Sequence, residues 1–135
     1  MKPDWVIEGQ LARWHRPGYS GERGYRVPRA DVENWVDSVK AMGVRSIICL
    51  LAEDQLQLYK DLPGDLICHY REAGFSVEHI PARDHQWPPL TQDHLDRVWR
   101  AYQTLPKPVL VHCSAGVDRT GRAIDHIRRQ PGIRR

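Results

Sequence analysis

The most constraining stretch of this chain is Val109-Leu110-Val111-His112, an apolar run that gives way at once to Cys113-Ser114-Ala115-Gly116. A run this short and this apolar, entered through Pro106 and Pro108, reads as a buried strand. From near Arg119 to about Gln130 the chain turns helical, and Pro131-Gly132 ends it. A buried strand, a short loop of small residues and a helix in direct succession belong to an α/β layer fold.

The remaining chain repeats that alternation. Trp5 to Gly9 predicts a first strand, which Gln10 to Arg13 would continue after a bend. Trp14 to Val27 carries Pro17, Gly18, Gly21 and Gly24 and reads as an ordered loop. Pro28 suits the first turn of a helix. Val32, Trp35, Val36, Val39 and Met42 recur at helical spacing, and Gly43 stops them. Val44 to Leu51 predicts a buried strand, Glu53 to Lys60 a short helix, and Asp65 to Ala73 a helix closed by Gly74. Val77 to Ile80 predicts a strand and Pro81 to Leu90 a loop. Thr91 caps a helix whose apolar face is Leu95, Val98, Trp99 and Tyr102. The expected architecture is a central, mostly parallel sheet flanked by helices, in one compact domain spanning 1–135.

Composition narrows the class. The chain has 135 residues, 41% apolar and 27% charged, enough for a core without staples. Net charge is only +3, yet 16 of the 20 cations are arginine, whose planar fork suits anionic partners. Cys49, Cys68 and Cys113 are too few and too far apart for a disulfide framework or a zinc knuckle. No apolar run is long enough to span a bilayer, and no leader-like segment follows Met1. A soluble protein of a reducing compartment, the cytoplasm, is expected.

The junction after His112 carries the chemistry. A strand–loop–helix turn points backbone N–H groups inward, and the helix dipole adds positive potential. Arg119 at the far end can close its fork on two oxygens of a tetrahedral anion. Cys113 stands at the near end, where the N–H groups and Arg119 both favour the thiolate. A thiolate at the floor of a phosphate site is a nucleophile aimed at phosphorus. Thr120 offers a hydroxyl that can bond Cys113 and ease its departure.

The segment His112-Cys113-Ser114-Ala115-Gly116-Val117-Asp118-Arg119-Thr120-Gly121 resembles the His-Cys-x5-Arg-Ser/Thr-Gly signature loop of protein tyrosine and dual-specificity phosphatases. Element order agrees over nearly the whole chain. The small size, the late position of the loop and the lack of a phosphotyrosine-clamp motif resemble the compact dual-specificity branch. The resemblance implies a metal-free, cofactor-free enzyme with Cys113 as nucleophile. Ser114, Ala115, Gly116, Val117, Asp118 and Arg119 would bind the phosphate, and Thr120 would assist. His112 would support the thiolate or hold the loop by hydrogen bonds. Only fourteen residues follow Gly121, where many relatives add a helix or two, so a minimal domain and a shortened chain both fit.

Family members take their general acid from a mobile loop some thirty residues before the cysteine. Asp84 lies 29 residues before Cys113, on the Pro-rich loop after a strand. It is the expected acid in the first step and base in the second. Asp118, inside the signature loop, is the competitor, because myotubularin-like and some bacterial phosphatases resemble this chain there. His85 ranks third.

Other features carry two readings. Arg13, His15, Arg16, Arg23 and Arg26 would grip a phosphorylated substrate or simply form a basic solvated loop. Trp14, Tyr19, Tyr25 and Trp87 would wall the pocket or pack in the core. Cys49 or Cys68 would resolve an oxidised Cys113 or be inert. The expected substrate is phosphotyrosine in a protein or peptide, with phosphoserine and phosphothreonine as further substrates. Phosphoinositides and RNA 5′-phosphates are the alternatives on the same scaffold, although lipid-directed relatives place lysines in this loop and none occurs here. Membrane and nucleic-acid partners are otherwise not expected. A non-catalytic phospho-ligand module would have lost Cys113 or Arg119, and both are present.

Overall fold

The computed structural model describes residues 2–20 and 26–133. Its elements are β1 (Asp4–Ile7), β2 (Leu11–Trp14), α1 (Arg29–Ala41), β3 (Ser46–Cys49), a 3-10 helix (Glu53–Tyr59), α2 (Leu66–Glu72), β4 (Ser76–His79), α3 (Gln92–Thr104), β5 (Val109–His112) and α4 (Asp118–Arg128). The five strands form one sheet in the order β1-β2-β5-β3-β4. Only the β1–β2 pair is antiparallel. The mostly parallel sheet flanked by helices is therefore as expected.

Alternation across the sheet builds two cores. Ala12, Ile47, Cys49 and Leu110 face α1, the 3-10 helix and α2, where Val32, Trp35, Val36, Leu56, Tyr59, Leu66 and Tyr70 meet them. Leu11, Ile48, Val109 and Val111 face the opposite side and meet α3 and α4 through Leu95, Val98, Ala123, Ile124 and Ile127. The central strands are apolar on both faces because both faces are covered. Each large apolar side chain buried this way contributes about 1.5–3 kcal/mol.

β5 lies at the centre, paired with β2 and β3, with His112 opposite Trp14 and Cys49. The chain leaves β2 and β3 toward one face of the sheet but leaves β5 toward α4 on the other. Connections that part in this way open a crevice beyond the carboxyl ends of the strands. The loop after β5 sits in that crevice.

Three expectations change in the amino-terminal part. Gln10 to Arg13 does not prolong the first strand. Gly9, at φ 74°, and a bond from Gln10 N to Ile7 O (2.9 Å) reverse the chain, so β2 folds back on β1 and joins β5. Trp14 ends β2 rather than opening the loop. Pro28 is the cap before α1, with extended ψ, rather than a residue of its first turn. Arg23 and Tyr25 lie outside the described residues. Among the described residues no helix is long and apolar enough to cross a membrane, and no three His, Cys, Asp or Glu side chains gather as a metal site.

Candidate active site

The loop from Cys113 to Val117 links the end of β5 to α4. Gly116 has φ 78°, the left-handed region, and a Cβ there would stand 2.4 Å from the Trp14 carbonyl oxygen. Only glycine lets the loop approach β2 this closely. Arg13 Nη2 donates to Gly116 O at 2.7 Å. Arg16 N donates to Ser114 O at 2.9 Å, and Arg16 Nε to Ser114 Oγ at 3.2 Å. Arg16 is itself buried, with Nη1 on Tyr59 Oη and Pro17 O. Two arginines from the β2 side therefore hold the loop by its own backbone.

With the carbonyls so engaged, the amides are left over. Among the described residues, the N–H groups of Ser114, Ala115, Gly116 and Val117 have no hydrogen-bond acceptor. Four successive free donors ahead of a helix N-terminus make an anion cradle. Cys113 is 2% exposed at its start. Val117 is 60% exposed on its rim, and Asp118 opens the first turn of α4, exposed and in no ion pair with a described residue.

His112 is fully buried. Its Nδ1 lies 3.0 Å from Cys113 O and its Nε2 lies 2.9 Å from Tyr70 Oη. A carbonyl only accepts, so Nδ1 carries the proton and Nε2 accepts from the tyrosine hydroxyl. Burial pushes the imidazole down to about 4, and the nearby Arg119 charge works in the same direction. Burial likewise holds the Tyr70 phenol protonated. His112 is thus a neutral strut for the loop, which favours the second of its two expected roles.

Arg119 is 2% exposed and reaches across to the ends of β3 and β4. Its Nη1 lies 2.8 Å from Ala82 O, 3.2 Å from Leu50 O and 2.9 Å from Gln55 Oε1. Its Nη2 is buried with no hydrogen bond and stands 3.5 Å from Asp84 Oδ1. Asp84 also takes an N–H from His85 (3.0 Å) and one from Gln55 Nε2 (3.4 Å). The acid predicted at Asp84 and the cation predicted at Arg119 are therefore neighbours. Thr120 Oγ1 is buried and makes no hydrogen bond, so it does not bond Cys113 in this structure.

The other candidates sort differently. Arg13 and Arg16 are spent on the loop, and Arg26 pairs with Asp61. Trp14 is a core residue stacked on Trp35. Trp87 is 88% exposed. Cys49 is buried and its thiol is pushed up to about 12 by burial, whereas Cys68 is exposed on α2. Gln55, Tyr70 and the Leu50 and Ala82 carbonyls were not foreseen. Each acts through space, and only the proximity of β3, β4 and β5 ends could have pointed to them.

The fold is the one shared by tyrosine and dual-specificity phosphatases. A family model described as "Polymorphic toxin system, DSP-PTPase phosphatase" matches residues 24–129, and the chain belongs to that family. No curated protein matches the chain in sequence. Solved structures share the fold at low identity. Kinase associated phosphatase, solved with its catalytic-site cysteine replaced by serine, aligns at TM-score 0.61 and 18% identity, over 90% of this chain and 75% of that one. The core catalytic domain of the PP-IP phosphatase of S. cerevisiae aligns at 0.55 and 16%, over 99% and 81%. A DUF442 protein of Shewanella putrefaciens CN-32 aligns at 0.56 and 20%; the match covers 88% of this chain and only 65% of that one.

Proposed function

We propose that this chain, as a single phosphatase domain, hydrolyses phosphate monoesters through a phosphocysteine intermediate. The observation that carries the reading is the set of donors with no hydrogen-bond acceptor: the four loop N–H groups that follow Cys113 and the buried Nη2 of Arg119, which stands in an ion pair with Asp84. These donors hold the equatorial oxygens of the phosphoryl group and match the charge that builds in transfer. The Cys113 thiolate attacks phosphorus as the bond to the leaving oxygen breaks. Asp84 gives that oxygen a proton. Water then attacks the phosphocysteine, Asp84 takes the water's proton, the S–P bond breaks and inorganic phosphate leaves. Thr120, whose hydroxyl is uncommitted, donates to the departing sulfur.

A phosphotyrosine side chain in a protein or peptide fits the rim best. Of the described arginines of the early loop, Arg13 and Arg16 are committed to the signature loop and Arg26 to Asp61. Arg83 beside Asp84 is the described arginine left near the site, and the rim otherwise offers Val117 and Asp118. That arrangement favours a single phosphate over a phosphoinositide or an RNA 5′-triphosphate. The test is hydrolysis of an aryl phosphate in EDTA, followed by a panel of phosphotyrosine, phosphoserine and phosphothreonine peptides, a phosphoinositide and RNA 5′-triphosphate. Turnover that vanishes in Cys113→Ser is expected, with phosphotyrosine peptide the best substrate. Full activity in Cys113→Ser would refute the chemistry, and preference for the polyphosphates would refute the substrate class.

A further inference from the structure

Gln55 sits between the two halves of the candidate site. It is the third residue of the 3-10 helix, and its Oε1 accepts from Ala52 N at 3.0 Å and from Arg119 Nη1 at 2.9 Å. Both neighbours only donate, so the amide orientation is fixed, with oxygen toward them and nitrogen away. The nitrogen then faces Asp84 Oδ2 at 3.4 Å. One side chain thus touches the phosphate-binding cation through its oxygen and the acid through its nitrogen.

We infer that Gln55 is a positioning residue that sets Asp84 against Arg119, so that the acid stands over the leaving oxygen of a phosphate held by the arginine. The inference rests on Asp84 being the general acid. Asp84 lies on an exposed loop, and two of its other contacts are within that loop, to His85 N and His85 Nε2. Among its bonds to the protein body are those to Arg119 from α4 and to Gln55 from the 3-10 helix. The amide adds direction without adding charge. Glutamine is suited to this place because a carboxylate there would hold Arg119 equally well but oppose Asp84.

Gln55→Glu separates the two halves of the role. It keeps an acceptor for Arg119 and Ala52 N and replaces the donor facing Asp84 with an anion. Among the described residues, the charged groups near Asp84 include Arg119, His85 and, lining the same cavity, Glu53, Asp54 and Arg83. None of these changes in the variant. A second carboxylate beside Asp84 makes its proton harder to lose, so the alkaline limb of the kcat/KM profile should move up by about one pH unit. In an Asp84→Asn background the same substitution should move nothing. Gln55→Ala should slow phenyl phosphate, a poor leaving group, about tenfold more than p-nitrophenyl phosphate, because only the former needs a placed acid. A residue that merely braced the 3-10 helix would lower the melting temperature and leave limb and leaving-group ratio alone. If Asp84→Asn removes the limb yet Gln55→Glu leaves it in place, the inference is wrong. If Asp84→Asn keeps the limb, Asp84 is not the acid and the inference falls with that assignment.

Discussion

The signature loop and the loop that carries Asp84 face each other across Arg119 and are built on opposite plans. The loop from Cys113 to Val117 is clamped. Arg13 and Arg16 hold its carbonyls, His112 holds Cys113 O, and Gly116 lies hard against Trp14. The loop from Pro81 to Leu90 is mostly exposed, carries Trp87 on its surface, and has its root tied by Ala82 N to Leu50 O and by His94 Nε2 to Pro81 O. An anion cradle must be rigid, because donors that are already aimed cost no reorganisation when charge develops. An acid that must admit substrate and then cover it belongs on the looser element. The clamped loop spends arginines on its own backbone, whereas the more exposed one brings a single carboxylate to Arg119.

Disturbing the rigid loop should cost the most. Gly116→Ala puts a Cβ into the Trp14 carbonyl and a side chain at positive φ, so a loss of about 2–4 kcal/mol in stability is expected by denaturant unfolding, with activity lost in step. An unchanged midpoint would mean that the loop is not clamped as described. On the other loop, Asp84→Asn should lower kcat for phenyl phosphate by about a hundredfold and remove the alkaline limb of the pH profile, while the melting temperature moves far less than for Gly116→Ala. If Asp118→Asn does this and Asp84→Asn does not, the acid belongs to the signature loop after all.

A smaller effect tests the strut under the cradle. His112 is neutral when folded because burial lowers it from 6.5 to about 4. The unfolded chain takes up a proton as pH falls through 6.5, and the folded chain does not until about 4. Its contribution is therefore fully present above pH 6.5 and is lost as pH falls toward 4. At about pH 4.5 the loss amounts to about 2.5 kcal/mol. His15 and His126 are lowered by burial too and add slope in the same sense, so the comparison is with His112→Gln. Its unfolding free energy should fall less steeply between pH 7 and about pH 4.5 than that of the wild type. Parallel curves would show that His112 takes up its proton in the folded chain over the same pH range as in the unfolded one.

The two loops also differ in how far they could be read from sequence. The signature loop is a local object. Its small residues, Gly116 and Arg119 lie within ten positions, and backbone geometry alone implies the cradle. The helices were legible for a related reason, since Val32, Trp35, Val36 and Val39 mark one face of α1. What escaped depended on reversal or on distance. The β1–β2 hairpin turns on Gly9, one residue whose left-handed φ has no outward sign in the sequence. Arg13 and Arg16 read as substrate ligands or as a solvated basic loop, because nothing local shows that β2 lies beside β5. Gln55 reaches Arg119 from 64 positions away and Asp84 from 29, contacts set by strand order rather than by any motif.

The central claim is that Cys113 takes the phosphoryl group before water does. It is tested most directly by mixing Asp84→Asn with p-nitrophenyl phosphate, quenching in acid and mapping the modified peptide by mass spectrometry. A good leaving group lets the first step proceed without the acid, whereas the second step lacks its base, so phosphocysteine should accumulate at Cys113 and at no other residue. A burst of p-nitrophenol close to one equivalent should accompany it. Turnover with no burst and no phosphorylated Cys113 would contradict the account and point to direct attack by water.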